Sequence, residues 1–358
     1  MTNAISTSFV SCDDARWHDI VGEIPHDVYA TPPFVRIESA RLDAEATGLV
    51  IERGDRIMFV PLLLRSIPIG SSAHFDAVSP YGYPGVVVSD AGASDPEFIG
   101  DAARALSAAL RERGVVSVFL RMHPLLDRHI VESGAFPVVD NGVTVSIDTR
   151  KDDVELWAGM SKGHTNAIHK ARRAGYEMEI GGDRRHVEEF MVVYRETMTR
   201  IGSAITSDFE PAYLEELASL EQAHVAVARL DGEIAGAYLF YATGPIGQMH
   251  LGGTRSAFMK PSPSHFLIHA VALWCRERGL HRLHLGGGVG GSANDSLFTF
   301  KAGFSPDRHR FATARIVTDP GAYDDLVTAR ADELQCQPGD LHDSGFFPAY
   351  RAAASTHG

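Results

Sequence analysis

Cysteines and long apolar runs are both scarce in this sequence. Its 358 residues include three cysteines, Cys12, Cys275 and Cys336. Because they are odd in number and far apart, they indicate neither a disulfide framework nor a zinc knuckle. No apolar stretch reaches the length needed to cross a bilayer, and the first residues lack the basic and apolar regions of a secretory signal. We therefore predict a cytoplasmic protein with no membrane span.

The signature motifs of several enzyme classes are missing as well. The chain has no GxxxxGK[ST] phosphate loop, no GxSxG nucleophile elbow and no HExxH zinc motif. His265 and His269 stand at the i, i+4 spacing of a metal pair on one predicted helix, but the sequence offers no third ligand to name. We therefore predict no metal site, and we interpret the two histidines as packed or exposed side chains.

The charge balance is acidic, with two local exceptions. The formal net charge of −13 argues against a protein that coats nucleic acid with its whole surface, and DNA binding is not expected. The basic residues of the two exceptions are Lys162, Lys170, Arg172 and Arg173 in an acid-free segment, 161–175, and then Arg308, Arg310 and Arg315. Each group could hold phosphates. The alternative is a solvated helix or strand face, which is the commoner fate of a charge run.

The segment from His281 to Phe304, HRLHLGGGVGGSANDSLFTFKAGF, combines a strand, a glycine-rich loop and a short helix over 295–302. Glycine lets a backbone approach a ligand closely, and a helix start favours negative charge. The predicted apolar stripe of the helix is Leu297, Phe300 and Phe304, and Lys301 flanks it. This pattern predicts a ligand site. The alternative is a tight turn beside a solvated lysine.

The rest of the chain contains one plan of elements twice. A hairpin, a long helix and a central strand precede Gly134-Ala135-Phe136 in the first half and Gly303-Phe304 in the second. Arg-Glu-Arg-Gly ends the long helix both times, at 111–114 and at 276–279. The landmarks and their common order suggest a duplicated unit. Further helices are predicted over 152–174, 185–200 and 211–220.

Because hairpins supply part of each sheet, the fold class is mixed α/β, with a twisted sheet flanked by helices in each unit. We predict a first domain over 1–150, completed by the C-terminal tail 319–358, and a second over 151–318. The glycine-rich segment belongs to the second domain.

This arrangement resembles tandem domains of the GNAT acyltransferase fold. Its sequence motifs are similar to those of the FemABX family of aminoacyl-tRNA-dependent peptidyltransferases. The matching pieces are the basic segment 161–175, the strand end that begins at His250, the helix after Pro263, and Phe300-Lys301 followed by Gly303-Phe304. The resemblance implies transfer of an amino acid from an aminoacyl-tRNA to an acceptor amine. The acceptor would be a peptide-like or small molecule, such as a cell-wall precursor or a peptide natural product in antibiotic biosynthesis. Since the ester is already activated, neither ATP nor a metal cofactor is implied.

The resemblance also implies roles for individual residues. It places Lys301, as the catalytic residue, at the 3′ end of the tRNA, where an ammonium stabilises developing negative charge. The expected donor and tRNA contacts are Phe300, Lys162, Lys170, Arg172, Arg173, Arg308 and Arg310. Apart from the resemblance, aromatic rings and an arginine suit a peptide or nucleoside-like acceptor that ends in a carboxylate or phosphate. The expected acceptor contacts, at a cleft between the domains, are therefore Tyr81, Tyr83, Arg200, Tyr238 and His250. Asp295 is a candidate proton relay, as is His250, although the vicinal hydroxyl of the tRNA is the favoured one. The chain departs from bridge-forming relatives in lacking a coiled-coil insertion and in having histidine, not tyrosine, at 250.

Two other donors or cofactors compete with this interpretation. An acyl-CoA-dependent GNAT enzyme shares the fold, but it grips pyrophosphate with a glycine-rich turn. The corresponding segment here, 254–266, has prolines and no glycines. Gly286, Gly288 and Gly291 spell GxGxxG after a strand, yet the helix behind them is too short for a dinucleotide-binding unit.

Overall fold

A computed structural model describes residues 4–69, 74–202, 209–288 and 295–353. The chain forms two compact units, Met1–Asp140 with Phe311–Gly358, and Asn141–Arg310. The strands are β1 (Ser6–Val10), β2 (Glu45–Arg53), β3 (Arg56–Ser66), β4 (Phe75–Val78), β5 (Val87–Val88), β6 (Val115–Arg121), β7 (Val138–Asp148), β8 (Glu177–Gly181), β9 (Ala223–Leu230), β10 (Glu233–Thr243), β11 (Ile246–Thr254), β12 (Arg282–Gly286) and β13 (Arg308–Val317). The helices are α1 (Ala15–Glu23), α2 (Pro32–Leu42), α3 (Asp90–Ala93), α4 (Pro96–Glu112), α5 (Arg128–Ser133), α6 (Asp153–Gly159), α7 (Lys162–Arg173), α8 (Arg184–Ile201), α9 (Pro211–Ala218), α10 (Ser264–Glu277), α11 (Ser296–Ala302), α12 (Pro320–Leu334) and α13 (Pro338–Asp343).

The first unit is built on a mixed sheet in the order β1, β2, β3, β4, β6, β13, with the short β5 pairing with β3. All neighbours along this order run antiparallel except β4 and β6, which are parallel. The predicted hairpin of β2 and β3 is present, and its register closes at Arg53 and Arg56. The amphipathic helix α4 begins at a proline after the cap Asp95, and it buries Phe98, Leu106 and Leu110 in the main core of the unit.

The second unit repeats this sheet, in the order β8, β9, β10, β11, β12, β7. Again the neighbours run antiparallel except one pair, β11 and β12, which are parallel. The hairpin of β9 and β10 turns at Asp231 and Gly232, which both have positive φ as the turns that suit a twisted hairpin require. Helix α10 buries Leu267, Ile268 and Val271 in the core of this unit. The mixed α/β fold class predicted from the sequence is thus confirmed.

The last strand of each sheet comes from the opposite half of the sequence repeat. Residues 145–148 of β7, the closing strand of the first repeat, pair with β12 in the second unit. Residues 313–317 of β13, the closing strand of the second repeat, pair with β6 in the first unit. The unit boundaries therefore lie at 140/141 and 310/311, and not at the expected 150/151 and 318/319. Simple duplication would have left each closing strand in its own half.

The described residues include no membrane-spanning helix, and their cysteines are free thiols. None of their helices has both the length and the apolar character that a membrane span requires. Cys12 and Cys275 are buried free thiols, and Cys336 is a partly buried one. Burial raises the pKa of Cys12 to about 11 and that of Cys275 to about 12, so neither is a reactive thiolate near neutral pH.

Candidate active site

Lys301 lies in the last turn of α11, and its side chain reaches back to the end of β12. Its Nζ donates a hydrogen bond of 2.7 Å to the carbonyl oxygen of Gly287. Burial lowers the pKa of Lys301 to about 8, and the nearby carboxylate of Asp295 opposes this shift. A lysine held at a strand end, with a pKa of about 8, can serve as an ammonium or exchange a proton near neutral pH.

A ring cluster fixes α11 against α7 and α10. The imidazole of His164, on α7, lies between Ser161 and the backbone of Phe300: Nε2 is 2.7 Å from the Phe300 carbonyl oxygen, and Nδ1 is 2.8 Å from Ser161 Oγ. Because a carbonyl only accepts, Nε2 carries the proton and donates, and Nδ1 accepts from the serine hydroxyl. Phe304 and His265 both pack against the same imidazole, edge to face, at centroid distances of 4.5 Å.

The histidines of this cluster are neutral near pH 7. Burial, reinforced by His164, lowers the pKa of His265 to about 4, and burial also lowers the pKa of His164. Gly303 completes the cluster because a Cβ there would lie 2.0 Å from Cε1 of His164. The residue next to Lys301 is therefore held by a rigid, uncharged clamp.

Helix α7 presents the predicted basic residues to solvent. Lys162, Lys170, Arg172 and Arg173 are all exposed, and the helix contains no acid. Among the residues that the structure describes, none of the four forms an ion pair. The cations in the last turn of α7 interact favourably with the negative end of its helix dipole, so they also stabilise the helix. Their charge is nevertheless available to an anionic ligand.

The other predicted donor residues have local partners. Asp295 is the N-cap of α11, and its Oδ2 accepts a hydrogen bond from the amide of Phe298 at 3.0 Å. The exposed Arg308 donates to the carbonyl oxygens of Ser305 and Ala302, so its guanidinium caps the end of α11. Arg310 is exposed on β13. Arg315 of the same basic group lies in the first unit and donates to Gly345.

Residues 289–294 of the glycine-rich loop, including Gly291 of the GxGxxG pattern, lie outside the described residues. Of the predicted stripe, Phe304, just after α11, is buried in the core of the unit, and the partly buried Phe300 packs against that core. Leu297 is 40% exposed, so its inclusion in the buried stripe was wrong. Phe298, the residue after Leu297, packs against that core in its place.

The predicted acceptor residues come from both units. Tyr81 and Tyr83 belong to the first unit, where the Tyr81 amide donates to Glu38 and the Tyr83 ring packs edge to face on Phe311. In the second unit, exposed Arg200 donates to Ser256 Oγ at 3.1 Å.

Tyr238 and His250 lie on opposite faces of the second sheet. Tyr238 packs with the residues under α10, and a Cβ on its cross-strand neighbour Gly252 would strike its ring at 2.2 Å. Phe240 packs on Trp274 of α10, so the next residue, Tyr241, points to the opposite face of the sheet. His250 contacts the ring of Tyr241 and therefore lies on the face away from α10. The second sheet therefore separates these two candidates.

Two features of the site were not foreseen. The role of His164 depends on Phe300, which lies 136 residues later in the chain, and no local pattern signals such a contact. Trp157 and His169 stack face to face beside Arg172, and an aromatic residue near a basic helix is the one sequence signal that points to them. Among the described residues, no group of three or more potential metal ligands occurs.

Comparisons with known proteins place this geometry in a fold family. Residues 159–302, which include α7, α10 and Lys301, match a family model described as an acetyltransferase (GNAT) domain. The solved structure of FemX is similar, with a TM-score of 0.66 and 13% identity, over 85% of this chain and 96% of that chain. This chain has a FemX-like fold. The predicted resemblance and the tandem GNAT architecture are thus confirmed at the level of fold.

Other structures with the FemX-like fold are similar over most of their length. A C-terminal domain assigned to a lysylphosphatidylglycerol synthetase from Agrobacterium fabrum has a TM-score of 0.54 and 17% identity, over 86% of this chain and 92% of that chain. L-PGS from Bacillus licheniformis has a TM-score of 0.54 and 14% identity, over 85% and 92% of the two chains. No curated protein sequence matched this chain.

Proposed function

We propose that this protein is an aminoacyltransferase that moves an amino acid from an aminoacyl-tRNA to the amine of a peptide-like or small-molecule acceptor, forming an amide bond. Transfer of an acyl group, the coarser part of this proposal, is supported by the GNAT domain match over 159–302. The finer part is supported by the FemX-like fold and by the residues around Lys301.

The observation that carries the proposal is the state of Lys301. Its ammonium is partly buried, its pKa is lowered to about 8, and the clamp around His164 fixes the residue beside it. A preorganised cation in a site with little water stabilises negative charge far better than a solvated lysine does. Acyl transfer from an ester develops such charge twice, on the carbonyl oxygen and on the departing oxygen.

The reaction balances without a cofactor. The acceptor amine attacks the ester carbonyl, the new C–N bond forms, and the bond from the carbonyl carbon to the ribose oxygen breaks. One proton leaves the amine and one joins the ribose oxygen. We propose that the vicinal ribose hydroxyl relays this proton and that Lys301 stabilises the charge, because Asp295 is engaged as a helix cap. No protein nucleophile, ATP or metal is needed for an ester that is already activated.

Three features favour charged tRNA over acyl-CoA as the donor. The four cations of α7 have no acidic partner among the described residues, which suits a polyanion. The connection from β11 to α10 contains Pro261 and Pro263 and lacks the glycines of a pyrophosphate loop. The name of the Agrobacterium fabrum relative also denotes attachment of a lysyl group to a lipid, which is an aminoacyl transfer. The reaction would take place in the cytoplasm, where charged tRNA is available.

The proposed acceptor is defined only by class, as a peptide-like or small molecule with an amine. Tyr81, Tyr83, Arg200 and His250 stay candidate contacts, since aromatic rings and a guanidinium suit a peptide or a nucleoside-like molecule that ends in an anionic group. Tyr238 packs in the core under α10, so we give it a structural role. A cell-wall precursor and a peptide natural product both meet this description.

The second candidate is an acyl-CoA-dependent N-acyltransferase, which the description of the matching family model favours. One experiment separates the two. The protein is incubated with a total charged-tRNA pool and a panel of acceptor amines, with acetyl-CoA in parallel, and products are detected by mass. We expect RNase-sensitive aminoacyl transfer that weakens as salt rises. Saturable CoA binding together with RNase-resistant transfer would replace the proposal by the second candidate.

A further inference from the structure

A stack of rings lies beside the basic residues of α7. Trp157, on α6, and His169, on α7, are nearly parallel, with centroids 4.9 Å apart and an interplanar angle of 3°. The Arg172 guanidinium carbon lies 5.4 Å from the centroid of the Trp157 ring, and His269 of α10 packs against the same ring at 4.8 Å. Three helices therefore fix the position of the indole.

His169 is the exposed end of this stack. Trp157 is half-buried and His269 is 2% exposed, whereas His169 is exposed. One face of the imidazole lies on Trp157, so its other face meets solvent. Its orientation is set before any ligand arrives, and the entropic cost of ordering the ring is reduced.

The surroundings of His169 are cationic. Exposed Lys170, Arg172 and Arg173 follow it directly on α7. Of the acids at the start of neighbouring α6, Asp153 pairs with Arg276 at 2.6 Å. The carboxylates of Asp152 and Glu155 each accept a hydrogen bond from the other residue's backbone amide, as a capping box. A planar ring beside unneutralised cations is the combination that binds single-stranded nucleic acid: bases stack on the ring, and the cations follow the backbone.

We propose that the outer face of His169, supported by Trp157, is a stacking site for an unpaired base near the 3′ end of the donor RNA. This inference rests on the proposed function. His164, which holds the backbone beside Lys301, lies five residues earlier on the same helix, or about 7.5 Å along its axis. That is roughly two stacked nucleotides, so a base on His169 is near enough for the terminal ribose to reach Lys301.

An anionic membrane is a poorer occupant of this surface. Membrane-surface helices insert protruding apolar side chains, whereas Trp157 is covered by His169, Arg172 and His269. Val154, on α6, is exposed, but one valine is too little apolar surface to hold a helix in a membrane. The exposed ring of the stack is the flat, polar imidazole of His169, which suits a base.

The test compares two RNA hexamers labelled at the 5′ end. One ends in CCA, and the other has abasic riboses at its last three positions. Fluorescence anisotropy gives the Kd of each hexamer for four proteins. These are the wild type, His169→Ala, His169→Phe and the control His18→Ala, in which the replaced histidine is exposed on α1.

His169→Ala should weaken binding of the CCA hexamer about tenfold and leave binding of the abasic hexamer within about twofold. His169→Phe should restore most of the loss, because it keeps a stacking face. His18→Ala should bind both hexamers like the wild type.

Other results would overturn the inference. If His169→Ala weakens both hexamers equally, the residue acts through charge or folding, which circular dichroism of the variant would separate. If it weakens neither, no base stacks there, while RNase-sensitive transfer from charged tRNA would leave the proposed function intact. Wild-type binding to phosphatidylglycerol vesicles, with no binding of either hexamer, would make the surface a membrane site. Loss of the proposed function itself would appear separately, as absence of transfer from charged tRNA.

Discussion

At the scale of single residues, the proposed chemistry depends on the charge of Lys301. Lys301→Ala should lower kcat/KM on the order of a hundredfold or more, by analogy with removal of one oxyanion donor, and the loss should include kcat. Lys301→Arg should recover activity only in part, because a planar guanidinium does not reproduce a point charge. Single-turnover transfer from charged tRNA measures both. Lys260→Ala, an exposed lysine outside the site, is the matched control. A Lys301→Ala protein that folds normally and keeps full kcat/KM would remove Lys301 from the mechanism.

The lowered pKa of Lys301 gives a distinct pH dependence. Since its pKa is about 8, the ammonium is present below pH 8 and is lost above it. The acceptor amine must be neutral to attack, so activity should first rise with pH and then fall with an apparent pKa near 8. In Lys301→Arg the alkaline fall should disappear, because arginine stays protonated. A wild-type rate that keeps rising beyond pH 9 would instead make Lys301 a general base.

The same shift has a consequence for stability, with the opposite sign to that of an ion-paired lysine. The folded pKa of about 8 lies below the ordinary value of 10.5, so between these values the unfolded chain binds more protons than the folded one. Stability should therefore rise with pH across this window, relative to Lys301→Met, which has no titrating group there. Urea unfolding of the two proteins at pH 7.5 and pH 10 measures the difference. Parallel pH dependences would show that the amine is well solvated in solution.

At the scale of elements, the contact of α7 with α11 is the one on which the site depends. Gly303 has an ordinary φ of −74°, so alanine there strains no backbone, but its Cβ would lie 2.0 Å from the His164 ring. Gly303→Ala should therefore cost about 1–3 kcal/mol as an overpacked site, and should lower kcat by displacing α11. Gly22→Ala is the matched control, since Gly22 is helical and a Cβ there meets nothing within 4 Å.

A double variant checks that the clash is the cause. His164→Ala removes the ring that a Cβ at position 303 would strike, so the cost of Gly303→Ala should shrink in that background. Urea unfolding gives the coupling, which should exceed about 0.5 kcal/mol for residues in contact. Additive costs would mean that Gly303 is required for a reason other than His164.

Local elements could be read from the sequence where local chemistry decides them. The hairpins of β2 with β3 and of β9 with β10 follow from their turn residues and alternating patterns, and α4 follows from its cap and proline. The helical region predicted over 152–174 divides into α6 and α7, because the Ser161 amide donates to the Gly303 carbonyl and the Ser161 side chain caps α7. The break is decided by a residue far away in the chain, so propensity alone could not locate it.

In the candidate site too, the sequence predicts what local residues decide and misses what remote contacts decide. Lys301 and the cations of α7 could be named because their residue types and positions carry the signal. His164 could not, because its partners are a remote carbonyl and remote rings. The acceptor residues are predicted from the chemistry of their side chains alone, and the second sheet places Tyr238 and His250 on opposite faces. Which face a strand residue occupies is fixed by tertiary pairing, which a single sequence does not reveal.

At the scale of the whole molecule, the sequence repeat identifies the elements but not the sheet that each closing strand joins. Both β7 and β13 follow the Gly-Phe landmark of their repeat, so the sequence marks each as a closing strand without naming its sheet. Because the first sheet ends in β13, the first unit includes Phe311–Gly358. Residues far apart in the chain are therefore required together for its core.

This dependence predicts what a chain that ends at residue 310 would lose. Ser117–Arg121 would lose the partners that pair with them on β13, and the first unit would lose a core cluster that includes Tyr323, Leu326 and Tyr350. The loss of Tyr350 would also leave Ser117 Oγ without its 2.7 Å partner. An exposed apolar sheet edge of this kind promotes aggregation.

A chain of residues 1–310 should thus be poorly soluble, or should be cleaved by protease first within 1–140, while residues 141–310 keep their own core. A chain of 1–353, which retains every described residue, is the control and should melt like the full chain. A chain of 1–310 with the same cooperative melting curve as the full chain would show that β13 and the segment after it contribute nothing to the first unit.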